Sequence, residues 1–94
     1  MIASFKHKEL EKFFLKGDGS KLQPNHLKKI RRILSVLNTA YIINDINIPA
    51  FDLHSLKGAS KGIWSVSVNG NYRIPFSFNE AKVEVLDVDY LDYH

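Results

Sequence analysis

The chain has 94 residues, room for one domain and one core, and its 45% hydrophobic and 12% aromatic content suits a packed globule. It has no cysteine, which excludes a disulfide framework, thiol chemistry and any cysteine-based zinc site. The net charge of +3 is unevenly spread: residues 1–40 carry nine Lys/Arg against three Asp/Glu, and residues 41–94 carry four against seven. A basic first part suits an anionic partner, such as nucleic acid or an acidic protein segment, and also suits a merely solvated helix face.

The opening "MIASFKHKELEKFF" has no apolar run long enough for a signal peptide or a membrane span, so a cytoplasmic protein without membrane contact is expected. Residues 1–4 fit a brief strand, and Ser4 is placed to cap a helix starting near Phe5. Leu10, Phe13 and Phe14 recur at helical spacing, and Gly17 is a natural stop before the turn "GDGS". Pro24 suits the first turn of a second helix, whose Leu27, Ile30, Ile33, Leu34 and Leu37 share one face. Lys28, Lys29, Arg31 and Arg32 point away from that stripe, and the helix ends near Thr39–Ala40. The connector "YIINDINIPAFDLH" is apolar for a loop, which predicts that it lies over the core.

From Ile63 the period becomes two. Trp64, Val66 and Val68 alternate with Ser65 and Ser67, "NGN" at 69–71 signals a tight turn, and Tyr72, Ile74, Phe76 and Phe78 alternate with Arg73, Pro75 and Ser77. A last strand is predicted over Val83–Tyr90. Pro75 has no N–H to give a ladder, which marks an edge or a bulge. The layout predicts a single α+β domain over residues 1–94, two N-terminal helices packed on an antiparallel β-meander.

Chemistry gathers in few places. The histidines at 7, 26, 54 and 94 have no HxxxH or HxH spacing, so a metal site is not indicated. No glycine-rich phosphate loop and no nucleophile elbow is present. His54, Lys57, Arg73, Asp92, Tyr93 and His94 together supply imidazoles, cations, a phenol and a carboxylate. That set suits metal-independent RNA cleavage, in which a ribose 2′-oxygen attacks the adjacent phosphate. A base must take its proton, cations must meet the growing charge, and an acid must protonate the departing 5′-oxygen. Arg73 alternates away from the core, where few packing contacts are expected.

The stretches "FDLHSLKG", "GIWSVSVNGNYRIPFSF" and the closing "DYH" resemble the HigB-type toxins of type II toxin–antitoxin pairs, within the RelE-like superfamily of messenger-RNA interferases. The resemblance spans nearly the whole chain. It implies the RelE-like toxin fold and a ribosome-dependent endoribonuclease that cuts messenger RNA in the A site of the small ribosomal subunit, stops translation and arrests growth of a bacterial cell. It implies no cofactor. The partner it implies is a HigA-like helix-turn-helix antitoxin, through which the complex reaches operator DNA.

By the same resemblance His54, Arg73, Asp92, Tyr93 and His94 fall on active-site positions, and Lys57 on a basic position nearby. Lys28, Lys29, Arg31 and Arg32 are expected to grip ribosomal RNA through its phosphates. Tyr72 stands where such toxins often have Trp, and Pro75 where a polar strand residue is usual. The final "VLDVDYLDYH" is about two residues longer than usual, so it must loop or bulge. Two other readings remain open: a non-catalytic RelE-like module that binds RNA or an antitoxin, and a structural partner of a DNA-binding protein.

Overall fold

Helix α1 (Lys8–Lys16) begins three residues after the expected start, because His7 rather than Ser4 caps it. The His7 Nδ1 accepts the Leu10 N–H at 3.1 Å, which satisfies one donor of the open first turn. Gly17 ends the helix at φ 74°, a left-handed conformation that costs glycine nothing, and its N–H reaches the Phe13 carbonyl. The computed structural model describes residues 1–56 and 62–93; Lys57 and His94 lie outside them.

Pro24 opens a 3-10 turn (Pro24–His26) that runs into α2 (Leu27–Thr39). Ile30, Ile33, Leu34 and Leu37 are buried as the spacing predicts, each contributing roughly 1.5–3 kcal/mol. The connector does lie over the core: it forms two further 3-10 turns (Ile43–Ile46 and Pro49–Phe51) that bury Ile46 and Phe51.

The sheet runs β1 (His54–Ser55), β2 (Ile63–Asn69), β3 (Tyr72–Asn79) and β4 (Glu84–Leu86), each antiparallel to the next. A short β5 (Leu91–Asp92) also pairs with β3. Gly70, at φ 57°, makes the tight β2–β3 turn. Val66, Val68, Ile74 and Phe76 meet the α2 stripe in one core, so both helices lie on the same side of the sheet.

The expected last strand, Val83–Tyr90, is not continuous. Ser77 pairs with Leu86 and Arg73 with Leu91, so four steps along β3 match five steps along its partner. One extra residue is therefore absorbed between β4 and β5, a β-bulge, with Asp87 at φ 55°. Pro75 sits opposite the break. It cannot donate to the ladder, but its carbonyl accepts the Asp89 N–H at 3.0 Å. Residues 1–6 run parallel along the outer edge of this strand, with bridges from Ile2 to Val85 and from Phe5 to Val88. Ser4, expected as a helix cap, instead accepts the Asp87 N–H at 2.9 Å and satisfies the bulge.

Candidate active site

Directly opposed residues of an antiparallel ladder project to the same face. Tyr72 opposes Asp92, while Ile74 opposes Val66 and Phe76 opposes Trp64. These lie on the helix side. On the other face His54 opposes Ser65, Ser65 opposes Pro75, and Arg73 opposes both Ser67 and Leu91. His54 and Arg73 thus share the open face of the sheet, two strands apart.

Arg73 does point away from the core, but it is not lightly packed as expected. Its side chain is only 19% exposed. Its Nε donates to Ser65 Oγ at 2.6 Å, and its Nη2 donates to the Ser65 carbonyl at 3.1 Å and the Asp52 carbonyl at 2.7 Å. Ser65 is itself fully buried. Nη1 remains, 3.6 Å from a carboxylate oxygen of Asp52. The guanidinium therefore braces the connector against the sheet with two nitrogens, and the third lies beside the Asp52 carboxylate.

Asp52 follows the Pro49–Phe51 turn at φ 48°, a left-handed conformation that Asp tolerates better than most residues. Its carbonyl accepts from Arg73 and also meets His54 Nδ1 at 3.0 Å. A carbonyl can only accept, so Nδ1 carries a proton, and in the neutral ring Nε2 is left with its lone pair. The Asp52 carboxylate lies 3.6 Å from His54 Nδ1. The sequence reading singled out neither Asp52 nor Ser65. The available signal was "FDLH", an Asp two residues before the histidine.

The tail residues divide between the faces. Tyr93 N–H donates to the Asn71 carbonyl at 2.8 Å, which extends the β3–β5 pairing by one residue. Tyr93 lines a cleft of about 200 Å³ with Pro75, Ser77 and Leu91 on the open face. Asp92 opposes Tyr72, on the helix side, away from the face of His54 and Arg73. Alternation puts Tyr93 and Asp92 on opposite sides, so Asp92 is not brought onto the face of His54 and Arg73.

On the helix side lies a second polar cluster that the sequence did not announce. His26 is buried, and its Nδ1 lies 2.6 Å from the Tyr90 hydroxyl. Tyr72 stacks on Tyr90 with ring centroids 5.1 Å apart and meets the His26 ring edge-on at 4.8 Å. Burial pulls the His26 pKa below its ordinary value. Burial raises that of Tyr90, and Tyr72 and Asp92 add to the rise.

Lys28, Lys29, Arg31 and Arg32 do not join His54 and Arg73. They face outward from the helix layer, on the far side of the sheet. Lys29 donates to the Ala50 carbonyl at 2.8 Å, while Arg31 and Arg32 lie over the rings of Phe13 and Phe51 at 5.3 and 5.6 Å. Among the described residues no helix is long and apolar enough to cross a membrane.

A family model described as "RelE-like toxin of type II toxin-antitoxin system HigB" matches residues 3–94. The chain is 39% identical over 94 residues, covering all of both proteins, to a protein of Proteus vulgaris named Endoribonuclease HigB. The chain belongs to the HigB-like toxin family of type II toxin–antitoxin systems, the family its "FDLHSLKG" and terminal "DYH" resemble.

Proposed function

We propose that this chain is an endoribonuclease toxin that cuts messenger RNA in the A site of the small ribosomal subunit and so stops translation. The full-length likeness to a protein named Endoribonuclease HigB supports the activity. The α+β architecture, two helices on an antiparallel sheet, supports the RelE-like toxin fold. The observation that carries the mechanism is the His54 ring. Its Nδ1–H is committed to the Asp52 carbonyl, on the sheet face that also holds Arg73.

In this reading Nε2 of His54 takes the proton of a ribose 2′-hydroxyl. The freed oxygen attacks the adjacent phosphorus, and the bond to the 5′-oxygen breaks, leaving a 2′,3′-cyclic phosphate. Nη1 of Arg73 meets the charge that builds on the phosphate. The departing 5′-oxygen takes a proton from the terminal segment, where Tyr93 lies on the open face and His94 follows it; Asp92 acts from the other side of the strand. Lys57 adds positive charge beside the RNA. Lys28, Lys29, Arg31 and Arg32 face ribosomal RNA at a distance from the cut. In the resting pair a HigA-like helix-turn-helix antitoxin covers the toxin and carries the complex to operator DNA, in the bacterial cytoplasm.

The test is cleavage of a defined message, alone and on programmed 70S ribosomes. In-frame cuts are expected only with ribosomes. Equal cutting of naked RNA removes the ribosome from the mechanism. No cutting in either case favours a module that binds without cleaving.

A further inference from the structure

Asp52 makes four approaches to the two groups the reaction needs. Its carbonyl takes Nη2 of Arg73 at 2.7 Å and Nδ1 of His54 at 3.0 Å. Its carboxylate lies 3.6 Å from Nη1 of Arg73 and 3.6 Å from Nδ1 of His54. The backbone there is left-handed, so the carbonyl and the carboxylate of one residue turn toward the same ring. Arg73 holds that conformation by bonding the carbonyl, and Arg73 is in turn anchored on buried Ser65.

We propose that Asp52 is a positioning residue for His54, resting on the reading of His54 as the base. Its carbonyl and its carboxylate together hold the proton on Nδ1 and leave the lone pair on Nε2. When Nε2 takes the 2′-hydroxyl proton, an O–H bond breaks, an N–H bond forms, and the ring becomes a cation. The carboxylate beside Nδ1 then faces a full positive charge where before it faced a neutral ring. It stabilises the charged state more than the neutral one, which is the condition for a rate effect rather than a binding effect. The same carboxylate also lies near Nη1, where the substrate phosphate arrives. A residue that merely screened Arg73 would instead compete with the phosphate and raise KM.

The experiment compares the full chain with Asp52→Asn and Asp52→Gly. Both replacements accept the left-handed backbone and keep the carbonyl, so only the carboxylate is lost. Asp52 is 62% exposed, so the effect is far smaller than in a buried triad. On programmed ribosomes kcat is expected to fall about five- to tenfold in both variants, with KM changed by less than about twofold. Nitrogen-15 spectra of the imidazoles, with the His54 signals identified by their loss in His54→Gln, provide a second readout that needs no substrate. The wild-type ring is expected mainly as the Nδ1–H form, and both variants shift toward the Nε2–H form. Unchanged kcat, or a lower KM at constant kcat, overturns the proposal. If the wild-type protein cuts nothing, the reading of the function fails by itself. The spectra then decide the positioning role: an unmoved tautomer overturns it and a shifted one upholds it.

Discussion

Replacing Arg73 by Ala tests the brace and the chemistry together, and the two must be separated. The side chain is 19% exposed and makes three hydrogen bonds, two of them to Ser65, which is fully buried. A hydrogen bond to a charged group is worth roughly 1.5–3 kcal/mol net, and an abandoned buried acceptor costs about 1–3 kcal/mol. The Asp52 carbonyl lies in an exposed residue and rehydrates, so most of the cost falls on Ser65. The total is about 2–4 kcal/mol. For a domain of this size each kcal/mol moves Tm by about 4–8 °C, so a fall of roughly 8–32 °C is expected. That is within the stability of an ordinary domain, and the variant should still be folded at low temperature.

Thermal unfolding followed by circular dichroism, with Trp64 fluorescence as a second probe, measures the loss. Cleavage is then compared at a temperature where both proteins are folded, and a further drop of about 10²–10³ in rate is expected for losing a charge-stabilising donor. Arg73→Lys keeps a charge but gathers its donors on one nitrogen in place of a spread planar fork, so it should recover only part of each loss. If Arg73→Ala melts within 3 °C of the wild type (a small fraction of the estimate), the bonds to Ser65 and Asp52 are not a brace, and the reasoning fails.

Three other outcomes are expected. The His26 pKa is lowered by burial in the folded protein, so the unfolded chain binds the proton more tightly. This contribution to stability is complete above the unfolded value of about 6.5 and is lost as pH falls through the lower folded value. Urea midpoints from pH 8 down to 5 should therefore decline, and less steeply in His26→Phe; parallel slopes would exclude His26. Deleting Tyr93 and His94 should abolish cleavage while moving Tm by less than about 5 °C, since Tyr93 is 39% exposed and its main-chain bond to Asn71 is the principal described tie lost; a large Tm fall with surviving cleavage would make the tail a packing element. Reversing the charge of Lys28, Lys29, Arg31 and Arg32 together should weaken ribosome binding and flatten its salt dependence. It should also cost about 1–2 kcal/mol, because two of the four lie over aromatic rings; unchanged ribosome affinity would leave them a solvated, ring-covering face.

Local periodicity made the elements legible. The α2 stripe and the alternation along β2 and β3 are written in spacing, and the turn at Gly70 in the backbone freedom it needs. What spacing does not carry is a partner chosen from elsewhere in the chain. His7 caps α1 because its Nδ1 reaches Leu10, while Ser4, the better capping type, is drawn to the bulge at Asp87. Arg73 was legible as a residue facing away from the core, yet its bonds to Asp52 and Ser65 depend on where the connector crosses the sheet. Nothing in "FDLH" states that Asp52 is left-handed, since Asp adopts that region only where tertiary contacts hold it there.

The bulge decides which tail residue shares the face of His54 and Arg73. Strand side chains alternate, so a slip of one residue exchanges the two faces. Had the β4 register continued, in which Ser77 opposes Leu86, Arg73 would oppose Tyr90 and Tyr72 would oppose Leu91. Tyr90 and Asp92 would then stand on the open face, with Tyr93 turned to the helices. The extra residue near Asp87 reverses this. It sends Tyr90 inward, where it is 8% exposed and meets His26, and it brings Leu91 opposite Arg73. Pro75 makes the slip inexpensive at that point, because it has no N–H whose ladder bond would be broken. Pro75 and the extra residue near Asp87 thus act at one place on the sheet. Together they bury a tyrosine against His26 and set the phase with which the last residues reach the face of His54 and Arg73.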